Sequence, residues 1–132
     1  MNVLIIDSQG GGIGKQLIPA VREARPEAVI TAVGTNTVAT SAMLKAGADH
    51  AATGENAVVV NCRGADVILG PIGIVIADAL FGEITPGMAL AVAQSGARRI
   101  LIPVNHCDNI VVGTRDLSMG ELIREAVGEL PA

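Results

Sequence analysis

Val3-Leu4-Ile5-Ile6 runs straight into Asp7-Ser8-Gln9-Gly10-Gly11-Gly12-Ile13-Gly14-Lys15, and the reading of this stretch decides the fold. The unbroken aliphatic block suits a strand covered on both faces. Four glycines in the five positions 10–14 remove every other Cβ from the turn, so backbone N–H groups can approach a ligand closely. Beyond the turn, Ile13, Leu17, Ile18, Val21 and Ala24 recur at helical spacing, with Lys15, Arg22 and Glu23 on the remaining surface, until Pro26 ends the pattern. A strand, a glycine turn and a helix whose positive end faces that turn make an anion-binding arrangement. Lys15 adds a full charge, so phosphate is expected here. Pro19 conflicts with its place inside the helix and predicts a lost hydrogen bond and a bend.

Outward from the turn, strands and helices alternate. Residues 28–33 read as a second strand, followed by Gly34-Thr35-Asn36-Thr37, in which Asn36 or Thr37 can cap a helix to about Ala46, with Gly47 at its C-terminus. Residues 50–53 form a weaker third strand. Ala57 to Cys62 reads as a short helix, although Val58-Val59-Val60 also suits a strand. Residues 66–69 form a fourth strand, and Gly70-Pro71 places proline in the first turn of a helix expected through Leu80. Thr85-Pro86 repeats that grammar with a capping hydroxyl before Met88 to Ser95. A fifth strand spans 99–104, Ile110-Val111-Val112 is expected to return antiparallel, and Asp116 or Ser118 caps a last helix carrying Leu122, Ile123, Ala126 and Val127.

This alternation predicts a single α/β domain over 1–132, doubly wound, with a mainly parallel five-stranded sheet in a Rossmann-like three-layer sandwich. In such sheets a ligand lies outside the carboxyl ends of the strands. Asp7 to Lys15, Gly34 to Thr37, Thr53 to Asn56, Gly70-Pro71, and Asn105 to Asp108 all follow expected strands, so five loops should converge on one edge.

Composition removes whole classes of function. A net charge of −4, one Phe (Phe81) and no Trp or Tyr leave neither the basic face nor the stacking platforms that nucleic acid requires. The longest apolar stretch, 67–81, is broken by Gly70, Pro71, Gly73 and Asp78 and is shorter than the roughly 20 residues of a membrane span. The N-terminus lacks the pattern of a signal peptide, and cytoplasmic residence with free Cys62 and Cys107 thiols is expected. No metal is expected, because His50, His106, Cys62 and Cys107 include no ligand pair of diagnostic spacing. Cys62 is expected in the core.

Four named motifs fail at the residues that do their work. The dinucleotide pattern Gly-x-Gly-x-x-Gly lies on 10–15 with Lys15 in place of its third glycine, and no Arg follows the second strand to grip a 2′-phosphate. A short-chain dehydrogenase turn would put its first glycine at Ser8, and there is no Tyr acid/base. The P-loop pattern keeps Gly14-Lys15 but has Gln9 for its first glycine and Gln16 for its metal-binding hydroxyl. The deviant P-loop of the plasmid-partition ATPases is nearer, yet Gly10 stands where that motif carries its signature lysine. Plain anion binding survives all of them. A helix packed tightly on a sheet with no ligand is the plainer alternative.

The residues expected at a nucleotide or dinucleotide are therefore Asp7, Ser8, Gly10, Gly11, Gly12, Ile13, Gly14, Lys15, Gly34, Thr35, Asn36, Glu55, Asn56, Gly70 and Asn105. Asp7 holds the turn through its N–H groups, binds a ribose hydroxyl or takes a metal. Asn36 and Thr37 contact ligand or only cap a helix; Glu55 suits a helix dipole equally well. His106 and Cys107 are the catalytic candidates, as acid/base and activated nucleophile, against a polar turn with an incidental thiol. The Ile74 to Phe81 helix, with Asp78 isolated on it, is the expected face of a homo-oligomer, most simply a dimer.

Asp7 to Gly14, Gly34-Thr35-Asn36 with Ala39-Thr40, Ala46 to Asp49, Thr53 to Ala57 and Gly70 to Gly73 resemble a family of short bacterial Rossmann-like proteins described as a domain of unknown function. The resemblance spans nearly the whole chain. It implies a compact Rossmann-like fold and implies no activity, cofactor or catalytic residue. The readings carried forward are a binder of a phosphorylated small molecule, an NAD(P)-dependent or Cys/His enzyme using the same pocket, and a homo-oligomeric interaction module.

Overall fold

The alternation within Val3-Leu4-Ile5-Ile6 explains why the first strand is apolar throughout. In β1 (Asn2–Asp7), Val3 and Ile5 join one core cluster and Leu4 and Ile6 the other, one on each face of the sheet. Complete burial of each such side chain contributes on the order of 1.5–3 kcal/mol. The structure, a computed structural model, describes residues 1–104 and 108–132.

Four further strands, β2 (Val29–Gly34), β3 (His50–Thr53), β4 (Val67–Pro71) and β5 (Arg98–Ile102), complete one sheet in the order β3-β2-β1-β4-β5. Every pair is parallel, with Asp7 opposite Gly34 and Ile5 opposite Leu69. The helices are α1 (Gly12–Ala24), α2 (Thr37–Lys45), α3 (Glu55–Cys62), α4 (Pro86–Gln94) and α5 (Met119–Gly128). Leu17, Ile18 and Val21 of α1, Met43 of α2, and Ile123 and Ala126 of α5 pack with Val3 and Ile5. Val58 and Cys62 of α3 and Met88, Ala89 and Val92 of α4 pack with Leu4 and Ile6. The expected α/β, doubly wound, Rossmann-like sheet is therefore present. The strand order turns back between β1 and β4, which makes their carboxyl ends the switch point.

Local signals behave as their chemistry dictates. Asn36 Oδ1 accepts from Ala39 N at 2.9 Å and caps α2. Thr85 caps α4 ahead of Pro86. Ser118 rather than Asp116 caps α5, in a full capping box with Glu121. α1 passes through Pro19 unbroken. Pro19 and Lys15 are both exposed, and proline at 19 takes away the N–H that would bond the Lys15 carbonyl.

Two expectations fail. Gly70-Pro71 does not open a helix through Leu80: β4 continues to Pro71, and only a single 3₁₀ turn, Ile72–Val75, follows. A side chain at Gly70 would run into the Ile6 carbonyl, so glycine here lets β1 and β4 approach. Residues 77–84 then loop back with Asp78, Leu80, Phe81 and Gly82 at φ of 65°, 58°, 59° and 83°. A right-handed helix cannot contain these angles. The proposed oligomer helix thus does not exist, and Ile74, Ala79 and Leu80 are buried in the chain's own core. Likewise 110–112 forms no returning strand, and Ile110 and Val112 are exposed.

The sheet has two outer edges. β3 has four residues. β5 begins with the exposed Arg98 and Arg99 and is flanked by residues 113–115 across a cavity of about 660 Å³.

Candidate functional site

The carboxyl end of β1 places Asp7 under the glycine turn, buried. Its Oδ1 accepts from Ser8 N at 2.8 Å and its Oδ2 from Gly14 N at 2.7 Å. Burial pushes the Asp7 carboxyl up, the Gly14, Ser8 and Ile13 N–H groups pull it down, the Glu83 charge adds to the rise, and the result lies above the ordinary range. Asp7 therefore serves as an internal hydrogen-bond acceptor that closes the turn onto α1. Gly11, at φ 73°, bonds back to Ser8 O at 2.9 Å. A side chain there would meet the Ala39 backbone of α2 at 2.9 Å, and one at Gly14 would meet Met43. Both glycines are needed for helix–helix contact, whatever else they do.

Beside the turn lies a cavity of about 360 Å³ at the switch point, lined by Asp7, Ser8, Gln9, Gly10, Gly12, Ile13, Gln16, Pro71, Leu80 and Met119. Gly10 and Gly12 are exposed on it, and among the described residues neither N–H donates a hydrogen bond. The side chain of Gln16 turns back to Gly12 O at 3.1 Å. Among the described residues, no Lys or Arg lines this cavity. Lys15, expected to grip phosphate, instead lines a separate groove with Thr37, Val38, Ser41, Ala42, Lys45 and Ala46 of the α2 region.

The β2 loop joins the turn through a residue that the sequence reading passed over. Glu83 Oε1 accepts from Gln9 N at 3.1 Å, Thr35 Oγ1 at 2.7 Å and Asn36 Nδ2 at 2.6 Å. Asn36 Nδ2 also donates to Gln9 O at 3.0 Å, and Thr35 N to Asp7 O at 3.0 Å. Burial alone would raise the Glu83 carboxyl, but the Thr35, Asn36 and Gln9 donors outweigh it and hold it below the ordinary range. One signal for Glu83 was present. An acid after Gly82, on the loop that follows the fourth strand, belongs to the ligand edge once that segment is not helical.

The other candidates are distributed as follows. Gly34 lies under Thr40, where a side chain would clash. Glu55 accepts from Thr85 Oγ1 and ties α3 to the cap of α4, and Asn56 is exposed; neither lines the switch-point cavity. Gly70 is buried in the β1–β4 seam. Asn105, His106 and Cys107, the last two being the catalytic candidates, lie outside the described residues. Two open N–H donors in a crevice can hold one anionic oxygen or a phosphate edge. Both oxygens of Asp7 already accept bonds, which leaves its carboxylate a structural part.

No helix among the described residues is long and apolar enough to cross a membrane. The comparison with curated proteins gave no match. Among solved structures, the chain is similar to a dodecameric FMN-dependent UbiX-like decarboxylase from Escherichia coli O157:H7, at 15% identity and a TM-score of 0.42, over 96% of this chain and 91% of that one. The family described as a domain of unknown function, DUF3842, matches residues 2–132, and the chain belongs to that family.

Proposed function

We propose that the chain binds a phosphorylated small molecule, with the phosphate seated on the N–H groups of Gly10 and Gly12. The observation that carries this reading is the pair of unused donors at the start of α1, opening on the 360 Å³ switch-point cavity. Helix dipole and backbone donors supply the attraction, since among the described residues no Lys or Arg lines the cavity. The volume falls in the range of small-ligand sites. It suits a mononucleotide or smaller phosphate ester.

Calorimetric titration of the full chain with inorganic phosphate, AMP, ADP and sugar phosphates tests the reading. Saturable binding is expected, and Gly10→Asp should abolish it. A side chain at Gly10 meets nothing within 4 Å, so this variant folds while placing a carboxylate beside the donors. No binding of any phosphate compound, or binding unchanged in Gly10→Asp, overturns it.

Homo-oligomer formation, most simply a dimer, is a second reading favoured by the exposed Phe81, Ile110 and Val112. Light scattering that finds a monomer at every concentration overturns it.

A further inference from the structure

The 77–84 segment crosses the carboxyl edge of the sheet. At one end Leu80 is buried and lines the switch-point cavity. At the other, Glu83 reaches past the glycine turn to the β2 loop. Its Oε1 takes three donors at once: the Gln9 N–H, the Thr35 hydroxyl and the Asn36 amide. These come from the two loops along which a ligand extending from the switch point toward β2 would lie. A carboxylate oxygen with three donors gathered around it is the arrangement such loops offer to an anion.

The segment is also a conformation that needs holding. Asp78, Leu80 and Phe81 carry side chains at φ of 65°, 58° and 59°, and Gln9, the residue Glu83 grips, stands at 51°. Such angles are costly for residues with a Cβ and persist where neighbours over-determine them. The holding contacts lie toward its two ends, where Ala79, Leu80 and Ile84 are buried in the core. Asp78 N donates to Ile84 O at 2.7 Å and Ile84 N to Ala79 O at 3.2 Å across the base, with Ala79 N to Ile76 O, Gly82 N to Asp78 O and Glu83 N to Leu80 O, each at 3.2 Å. Phe81 at the tip is 97% exposed and contributes little packing. Glu83 moreover brings a second negative charge toward the buried Asp7.

We infer that residues 81–83 form the displaceable tip of a strap anchored by the buried Ala79, Leu80 and Ile84, that its Glu83 carboxylate occupies an anion position between the glycine turn and the β2 loop, and that a ligand with a second phosphate takes this position by expelling it. This rests on the phosphate-binding reading above and extends it from one anion position to two. Glu83 Oε1 and a ligand oxygen cannot share the same three donors, so binding and strap closure exclude one another.

Phe81→Trp supplies a reporter, since the chain has no Trp or Tyr and residue 81 is exposed. In the full chain carrying this change, ADP should lower tryptophan anisotropy as the strap lifts, whereas inorganic phosphate, filling only the Gly10–Gly12 position, should not. Glu83→Ala in the same background should show low anisotropy without ADP and bind ADP about tenfold tighter by calorimetry, because the closed state no longer competes. Glu83→Gln keeps the side chain's size and should shift affinity the same way by less, which preserves the test if the alanine variant fails to fold. ADP binding that is equal or weaker in both Glu83 variants makes Glu83 idle or a ligand anchor, and overturns the strap while phosphate binding stands. Absence of ADP and phosphate binding in parent and variants alike overturns both readings.

Discussion

Replacing Asp7 by alanine tests whether the glycine turn is built around an internal hydrogen-bond acceptor. Asp7 is buried and accepts Ser8 N at 2.8 Å and Gly14 N at 2.7 Å, and Ser8 and Gly14 are themselves buried. Alanine would leave both donors without a partner. Each orphaned buried donor costs about 1–3 kcal/mol, giving roughly 2–6 kcal/mol in all. Against this, the variant no longer buries a carboxylate whose environment already disfavours its charge, so the net loss should be about 2–4 kcal/mol. Urea unfolding near neutral pH measures it.

The sign of the pH dependence follows from Asp7's raised carboxyl. The folded chain holds that proton more tightly than the unfolded one does. This contribution to wild-type stability is therefore full below about pH 3.9 and declines as pH rises through the window up to the raised folded value. The gap between wild type and Asp7→Ala should narrow across that window. Inorganic phosphate should also raise the melting temperature of Asp7→Ala more than that of wild type, by filling the vacated acceptor position. A loss below about 0.5 kcal/mol, the usual range for surface substitutions, would refute the account of the turn.

Two further outcomes are expected. Gly70→Ala should cost about 3 kcal/mol or more in denaturant unfolding, because its methyl meets the Ile6 carbonyl in the β1–β4 seam, where the backbone cannot give way; an alanine variant as stable as wild type would contradict that packing. Asp49 accepts Ile30 N at 2.8 Å and Arg22 Nη2 at 2.6 Å, which hold its carboxyl below the ordinary range. Asp49→Asn should therefore lower stability modestly, by under about 1 kcal/mol for so exposed a pair, at pH values above about 4, with the difference vanishing as pH falls through the lowered folded value; a difference that grew on acidification would refute the pairing.

How far the fold was legible depended on whether local signals had one meaning. Val3 to Ile6 could only be a doubly covered strand, and Thr85-Pro86 could only open a helix, so both read correctly. Ile72 to Leu80 was ambiguous, since a buried apolar run carries no period that separates helix from loop, and Pro71 suits a helix start as well as a strand end. The left-handed angles that settle it belong to Asp78, Leu80 and Phe81, residues that do not announce them as glycine would. That misreading hid Glu83, whose partners Gln9, Thr35 and Asn36 lie 47–74 positions away in sequence. Lys15 shows another limit. Its closeness to the turn was plain, but helix phase decides direction: Gly12, Ile13 and Gln16 line the cavity while Lys15 lines the groove beside α2.

The outer edges of the sheet bear on how copies of this chain can meet. An edge strand is a template for another strand, and proteins blunt it by shortness or charge. β3 offers four residues, and β5 opens on two exposed arginines. Two copies brought edge to edge through β5 would have to accommodate these charged side chains, Arg99 donating to the Ser95 and Ala97 carbonyls and Arg98 pairing with Glu129, before gaining a ladder. Growth into a continuous intermolecular sheet, the route to fibres, is thereby discouraged at both ends, and the chain can carry surface-exposed valine, isoleucine and phenylalanine without that hazard.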